Sequence, residues 1–252
     1  MTHYLAITCS ALARSIYAIA AETPATVSVQ LLDQGLHERP KNLREQLQAQ
    51  IDAVPADTYD AILLVYGICG TSTVGLTARD VPLIMPRAHD CVTLYLGSRE
   101  QYQEEFDAEP GTYWYSRDYL ERSTPSGASS GGLGAFSPTP NDELYEEYVA
   151  KYGEKNAQYL IEMMTGWAQH YKRAVFIDTG SGESEKYEQI AIDQAKENSW
   201  QFKRLQGNRR LLKMLLYGDW SEEEFLTVPP GYAIRQMATD DSLVKAVPVD
   251  EA

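Results

Sequence analysis

The sequence predicts an α/β protein whose sheets are mainly parallel and doubly wound, arranged as two Rossmann-like lobes. Three observations carry this expectation. Short apolar runs alternate with amphipathic helical stretches along the chain, the rhythm of strand–helix–strand units. The run AILLVY at 61–66 is apolar on both faces, as befits a strand inside a parallel sheet covered by helices on each side. A Ser/Gly/Pro-rich stretch, 123–141, separates two halves that share this rhythm.

The elements follow in order. Tyr4 to Thr8 is a β-compatible run, and Ser10 can cap a helix on which Leu12, Ile16, Tyr17 and Ile19 recur at helical spacing. TVSVQLL (26–32) is a second strand, with DQGLHERP as the loop after it. Pro40 suits the first turn of a helix carrying Leu43, Leu47, Ile51 and Val54. Residues 61–66 and 81–85 are the third and fourth strands, and Gly67 and Gly70 bracket Cys69, permitting a tight turn. A helix is expected around 98–106, before the aromatic-dense EPGTYWYSRDYLER. The stretch 123–141 reads as a flexible connector or a lid. After it, ELYEEYVAKYGEKNAQYLIEMMTGWAQHY reads as one long helix or as two broken near Gly153. A strand at 174–177 then turns through DTGSG (178–182) into a helix with Tyr187, Ile190, Ala191 and Ala195. A short strand at 202–205 leads through QGNRR (206–210) into the helix LLKMLLYG, and the last strand, 225–228, is cut off by Pro229 and Pro230. The lobes are expected at 1–122 and 142–252.

Composition narrows the function. At 252 residues, 44% hydrophobic and 23% charged, the chain has the make-up of a soluble globular protein. No apolar stretch approaches the roughly 20 residues that span a bilayer, and no basic leader precedes the first apolar residues. A cytoplasmic location without membrane contact is expected. The net charge of -14 and a pI near 4.7 exclude a nucleic acid backbone as partner and disfavour anionic membranes. Three cysteines without a secretory signal read as thiols or ligands rather than a disulfide framework.

Each of those cysteines, Cys9, Cys69 and Cys91, stands just past the end of an expected strand, and His89 is two residues before the last. In a doubly wound sheet all four fall at the carboxyl edge, where ligands bind. Thiolate and imidazole suit zinc first. Four ligands would close a tetrahedral site, and three would leave a position for a small-molecule substrate. Iron, or an iron-sulfur cluster, is the alternative for the same residues, less favoured because no closely spaced cysteine run is present. A metal-free reactive thiol would need its pKa depressed, by Arg87 or a helix N-terminus. The loop Thr179, Gly180, Ser181 and Gly182 has anion-binding character. Asn208, Arg209 and Arg210 start another helix from the same edge and suit an acidic substrate group. Asp90 and Asp178 are the candidate acid or base groups, with Glu183 beside the latter.

The pattern around Cys9, the YGICG of Cys69, the PRAHDC of His89 and Cys91, and the runs GTYWYS and YKRAVFIDTG resemble a family catalogued as a domain of unknown function, from Tyr4 to about Tyr232. The resemblance implies a place beside corrinoid-dependent methyl-transfer systems for methylamines and betaines, with a corrinoid protein as partner. The ligand set is also similar to the zinc site of methylcobamide:thiol methyltransferases, where zinc lowers the pKa of an acceptor thiol and the thiolate attacks the corrinoid-bound methyl group. This chain is shorter than those enzymes and shows no sequence for their barrel. The expected function is therefore a metal-binding protein of one-carbon metabolism, as a methyltransferase. The alternatives are a non-catalytic metal or corrinoid-handling accessory protein, or an iron-sulfur or redox protein.

Overall fold

The structure is a computed structural model that describes residues 2–122, 142–165, 170–237 and 243–251. The Ser/Gly/Pro-rich stretch 123–141, read above as connector or lid, lies outside the described residues. In chain order the elements are β1 (His3–Cys9), α1 (Ala13–Ala20), β2 (Thr26–Leu32), α2 (Pro40–Asp52), β3 (Ala61–Val65), β4 (Leu83–Pro86), α3 (Cys91–Leu96), α4 (Arg99–Ala108), β5 (Thr112–Ser116), α5 (Arg117–Leu120), α6 (Asp142–Tyr152), α7 (Glu154–Thr165), β6 (Arg173–Asp178), α8 (Glu185–Glu197), β7 (Gln201–Gln206), α9 (Arg210–Tyr217), β8 (Phe225–Val228), β9 (Tyr232–Gln236) and β10 (Val244–Pro248). The class is α/β with mostly parallel sheets, as the alternation predicts.

The chain divides into two compact units, but not at the expected lobe limits. One unit joins Met1–Tyr102 to Asn208–Ala252, and the other is Gln103–Gly207. The reason is strand pairing. β5 lies in sequence before 123–141 yet pairs with β6 beyond it, while β8 returns to pair with β4. The division thus falls within α4 and just before α9, and the second unit is an insertion in the first.

The first unit holds a five-stranded sheet in the order β2-β1-β3-β4-β8. Its first four strands are parallel and β8 closes the edge antiparallel, with Leu83 opposite Val228. Parallel neighbours need crossovers, which α1 and α2 supply. Leu43, Leu47 and Ile51 form the buried stripe of α2 and pack with Leu5, Ile7, Ile62 and Leu64. The alternate residues Ala6, Leu63 and Ile84 are equally buried, so β1, β3 and β4 are covered on both faces. A helix contributes Leu211, Leu212, Leu215 and Leu216 from α9, which contacts α1, β3 and β4. Gly97 ends α3 in the left-handed region, and a Cβ there would collide with the Asn208 backbone. Beside the sheet, β9 and β10 form an antiparallel pair that the sequence reading did not anticipate.

The second unit holds a parallel three-stranded sheet, β5-β6-β7. The aromatic-dense run holds β5, every residue of which is buried, followed directly by α5. Tyr113 and Tyr115 pack with Phe176 and Trp200, and the small Ala191 and Ala195 let α8 lie against them. Gly153, with φ 80°, separates α6 from α7, so the long helical stretch is two helices. Arg173 is 7% exposed. It pairs with Glu105 at 2.9 Å and donates from Nε to Thr112 Oγ1. Lys203 adds a contact to the same carboxylate at 2.6 Å. Arg173→Ala would leave Glu105 buried with one cation, and a loss of about 3 kcal/mol is expected in urea unfolding. A loss below about 0.5 kcal/mol would show that the pair contributes no more than a surface one.

Candidate functional site

Adjacent parallel strands deliver the three cysteines to one edge. Cys9 ends β1, Cys69 follows β3 after a tight turn, and Cys91 opens α3 beyond β4. The turns after β3 and β4 are laced together, because the Ile68 amide donates to the Ala88 carbonyl and the Cys69 amide to the His89 carbonyl, both at 2.9 Å. Their closeness explains Gly67. A Cβ there would fall 2.6 Å from the Asp90 nitrogen and 2.8 Å from the Ala88 oxygen. Ser72 Oγ donates to the Cys69 carbonyl at 2.7 Å, and Thr73 Oγ1 to the Gly67 carbonyl at 3.2 Å.

Backbone strain is concentrated here. Cys69, Gly70 and Thr71 have φ of 47°, 61° and 81° in succession. For a cysteine and a β-branched threonine this costs about 1–2 kcal/mol each. The laced turns hold that conformation in place.

All three cysteines are half-buried and none forms a disulfide. Burial pushes the Cys69 thiol up to about 12, with the Asp90 carboxylate and Cys9 adding to the rise against the Gly67 and Cys91 amides. The Cys91 thiol is raised well above its ordinary value, by burial first and then by Asp90, Cys69 and Cys9. The three sulfurs thus lie within electrostatic reach of one another. Without a cation Cys69 and Cys91 are neutral thiols at physiological pH.

His89 takes a different position. It is exposed, and its ring stacks on Tyr102 with centroids 5.4 Å apart. Asp90 caps α3, accepting from the amides of Val92 (2.9 Å) and Thr93 (3.4 Å). Burial raises its pKa, opposed by those amides, by His89 and by the Tyr102 hydroxyl that donates to it. A capping carboxylate bonded in this way is a structural anchor of the edge. Arg87 donates from its amide to the Glu224 carbonyl (2.7 Å) and from Nε to the Glu222 carbonyl (2.8 Å), and also reaches the Val244 carbonyl. It straps the β4–α3 turn to the C-terminal segment.

The remaining candidates have internal partners. Asn208 Oδ1 accepts from the Arg210 amide at 2.8 Å, and Arg210 bonds the Gly97 carbonyl and pairs with Glu224. Arg209 precedes α9 at its cap position. In the second unit, Thr179 Oγ1 donates to Asp118 at 3.3 Å, and Asp178 takes the Gly180 amide at 3.0 Å and Arg204 at 2.5 Å. Burial alone would raise the Asp178 pKa, but the amide and the guanidinium together hold it below the usual range. Gly182 packs against the Arg117 guanidinium, and Ser181 belongs to the same turn. The DTGSG turn therefore spends its first amide on its own aspartate. The sequence reading did not pick out Tyr66 and Tyr102, which stand at this edge of the first unit. Tyr66 ends the apolar run that marks β3 and Tyr102 lies within a plain helical pattern, so neither carries a motif.

Among the described residues, no three His, Cys, Asp or Glu side chains are grouped so as to hold a metal ion as they stand. The donor set nevertheless fits zinc in kind, as three sulfurs on neighbouring turns. The geometry defines the protein as a parallel-sheet α/β protein with a thiol cluster at its carboxyl edge. Residues 31–216 match the model of the family described as Protein of unknown function (DUF1638), and the chain belongs to that family. The matched range includes Cys69, His89 and Cys91, while Cys9 precedes it. No curated protein and no solved structure matches the chain. Among the described residues no helix is long and apolar enough to cross a membrane.

Proposed function

We propose that the protein binds a metal ion, zinc first, through Cys9, Cys69 and Cys91, and serves one-carbon or corrinoid-linked methyl metabolism in the cytoplasm. The convergence of three thiols from adjacent strand ends supports this reading most. Cys9 disfavours ionisation of Cys69, and Cys69 and Cys9 disfavour that of Cys91, whereas a divalent cation would favour the thiolates and make all three good ligands. Binding would draw the sulfurs closer than they now stand. Three ligands leave a fourth position for a small-molecule acceptor, with His89 exposed on the same loop as an additional donor. Zinc, when bound, would lower the pKa of an acceptor thiol. The chain's own part is to hold the sulfurs, seat the acceptor and limit water at the edge. A methyl donor on a corrinoid protein is the partner this chemistry calls for.

Elemental analysis after anaerobic purification tests the reading. About one equivalent of zinc is expected, and Cys69→Ser should reduce it at least fivefold. His37→Ala should leave it unchanged, because that ring lies against the Gln34 carbonyl. Less than about a tenth of an equivalent of any transition metal after zinc or iron supplementation would end the metal reading. A brown protein with visible absorption would replace zinc by iron and sulfur.

A further inference from the structure

β2 ends its sheet, with β1 on one side and no strand on the other. It pairs with β1 over its whole length without a bulge, from Thr26 opposite His3 to Leu32 opposite Cys9. Among the described residues, the only backbone bond to 26–32 outside that ladder runs from the Thr26 amide to the Thr2 carbonyl. Open edges invite pairing with another chain, and native sheets blunt them with charge, proline or cover. The other strands at sheet ends follow that rule. β7 carries Lys203 and Arg204, β9 carries Arg235, and β10 carries Lys245 and Pro248, while β5 and β8 are largely buried. β2, with the sequence TVSVQLL, has neither charge nor proline, and Val27 to Leu31 are all half-buried.

We propose that this edge is covered by β2 of a second copy of the chain, antiparallel across a two-fold axis at Val29, so that two sheets join into one. The strand's own pattern selects that partner. A two-fold axis at Val29 sets Val27 opposite Leu31, Val29 opposite itself and Ser28 opposite Gln30. Apolar then meets apolar on one face and polar meets polar on the other, as a self-complementary interface requires. Ser28 bonds the His3 ring at 3.0 Å and Gln30 reaches Gln50 of α2, which fixes the polar face on the α2 side. Charge points the same way. Copies with a net charge of -14 repel one another, and 23–32 is a run of ten uncharged residues along which two of them can approach. Antiparallel pairing also directs the two thiol edges to opposite ends of the joined sheet.

Analytical ultracentrifugation tests the proposal. At about 50 µM chain, the wild-type protein should sediment with twice the 28.3 kDa of one chain. Val29→Lys sets two like charges face to face at the axis and should raise the dimer dissociation constant at least ~30-fold, with the far-UV circular dichroism of the wild type retained. A pair of cysteine variants tests the register independently of that fold. Under copper-catalysed air oxidation, Val29→Cys should link two chains at least ~10-fold faster than Val27→Cys, which in this register faces Leu31 instead of its own copy. Wild-type protein that is monomeric at that concentration, Val29→Lys protein that dimerises as tightly as wild type, or equal rates of linking by the two cysteine variants would overturn the proposal.

Discussion

In the metal-free protein, Cys69 is expected to react with iodoacetamide at pH 8 about 100-fold more slowly than an unfolded cysteine, since only the thiolate reacts. Its pKa is about 12, raised chiefly by burial. An unfolded cysteine titrates near 8.5. Between these values the unfolded chain has released its proton and the folded one has kept it. Stability therefore falls as pH rises through that window, by up to about 1.4 kcal/mol per pH unit for each such thiol. Below pH 8 both states hold the proton and the contribution is flat. Cys91, also raised well above its ordinary value, should add to the alkaline loss. Urea midpoints between pH 7 and 11 measure it, and Cys69→Ala should flatten the curve. A bound cation should abolish the effect by holding the thiolates in the folded state. Fast alkylation of Cys69 at pH 7 in a folded, metal-free protein would show that burial does not control this thiol.

The second large effect is expected from Gly67→Ala. The added Cβ would meet backbone of the neighbouring turn at 2.6 and 2.8 Å, and backbone cannot yield as the tip of a side chain can. The turns must part, at a cost of about 1–3 kcal/mol, and the bonds from Ile68 to Ala88 and from Cys69 to His89 go with them. Loss of stability should accompany loss of metal content, because the same movement separates Cys69 from Cys91. Gly75→Ala is the comparison. That glycine has a positive φ, 87°, and no atom lies within 4 Å of a Cβ built there, so Gly75→Ala should lose stability with metal binding intact. A Gly67→Ala protein with native stability and full zinc would show that the two turns are not rigidly joined.

Much of the edge was legible in the sequence because strand ends are easy to read. AILLVY stops at a glycine, and HYLAIT stops at a cysteine. What the sequence leaves open is which side chains turn inward. His89 and Cys91 are two residues apart on one loop, yet the cysteine enters the thiol cluster and the histidine lies exposed on Tyr102. That choice depends on the ring of a residue in α4, which no local pattern announces. The carbonyl partners of Arg87 are hidden for a similar reason, since they lie in the C-terminal segment. The unit limits fail on strand pairing, because β5 and β8 each join a strand far away in sequence. Aromatic residues at 113–115 fit strand and helix sides alike until Phe176 and Trp200 are known to face them.

The strap from Arg87 to Glu222, Glu224 and Val244 has a consequence for the order of events during synthesis. Until β8 is made, β4 has an open edge, and the turn bearing His89 and Cys91 is fastened only by its bonds to the turn after β3 and by the Asp90 cap. The inserted unit, Gln103–Gly207, is complete before its host. Only the arrival of β8 covers the edge, a pairing of high sequence separation and therefore slow closure. The cysteines precede the inserted unit in sequence, whereas the strap that completes their edge waits for residues that follow it.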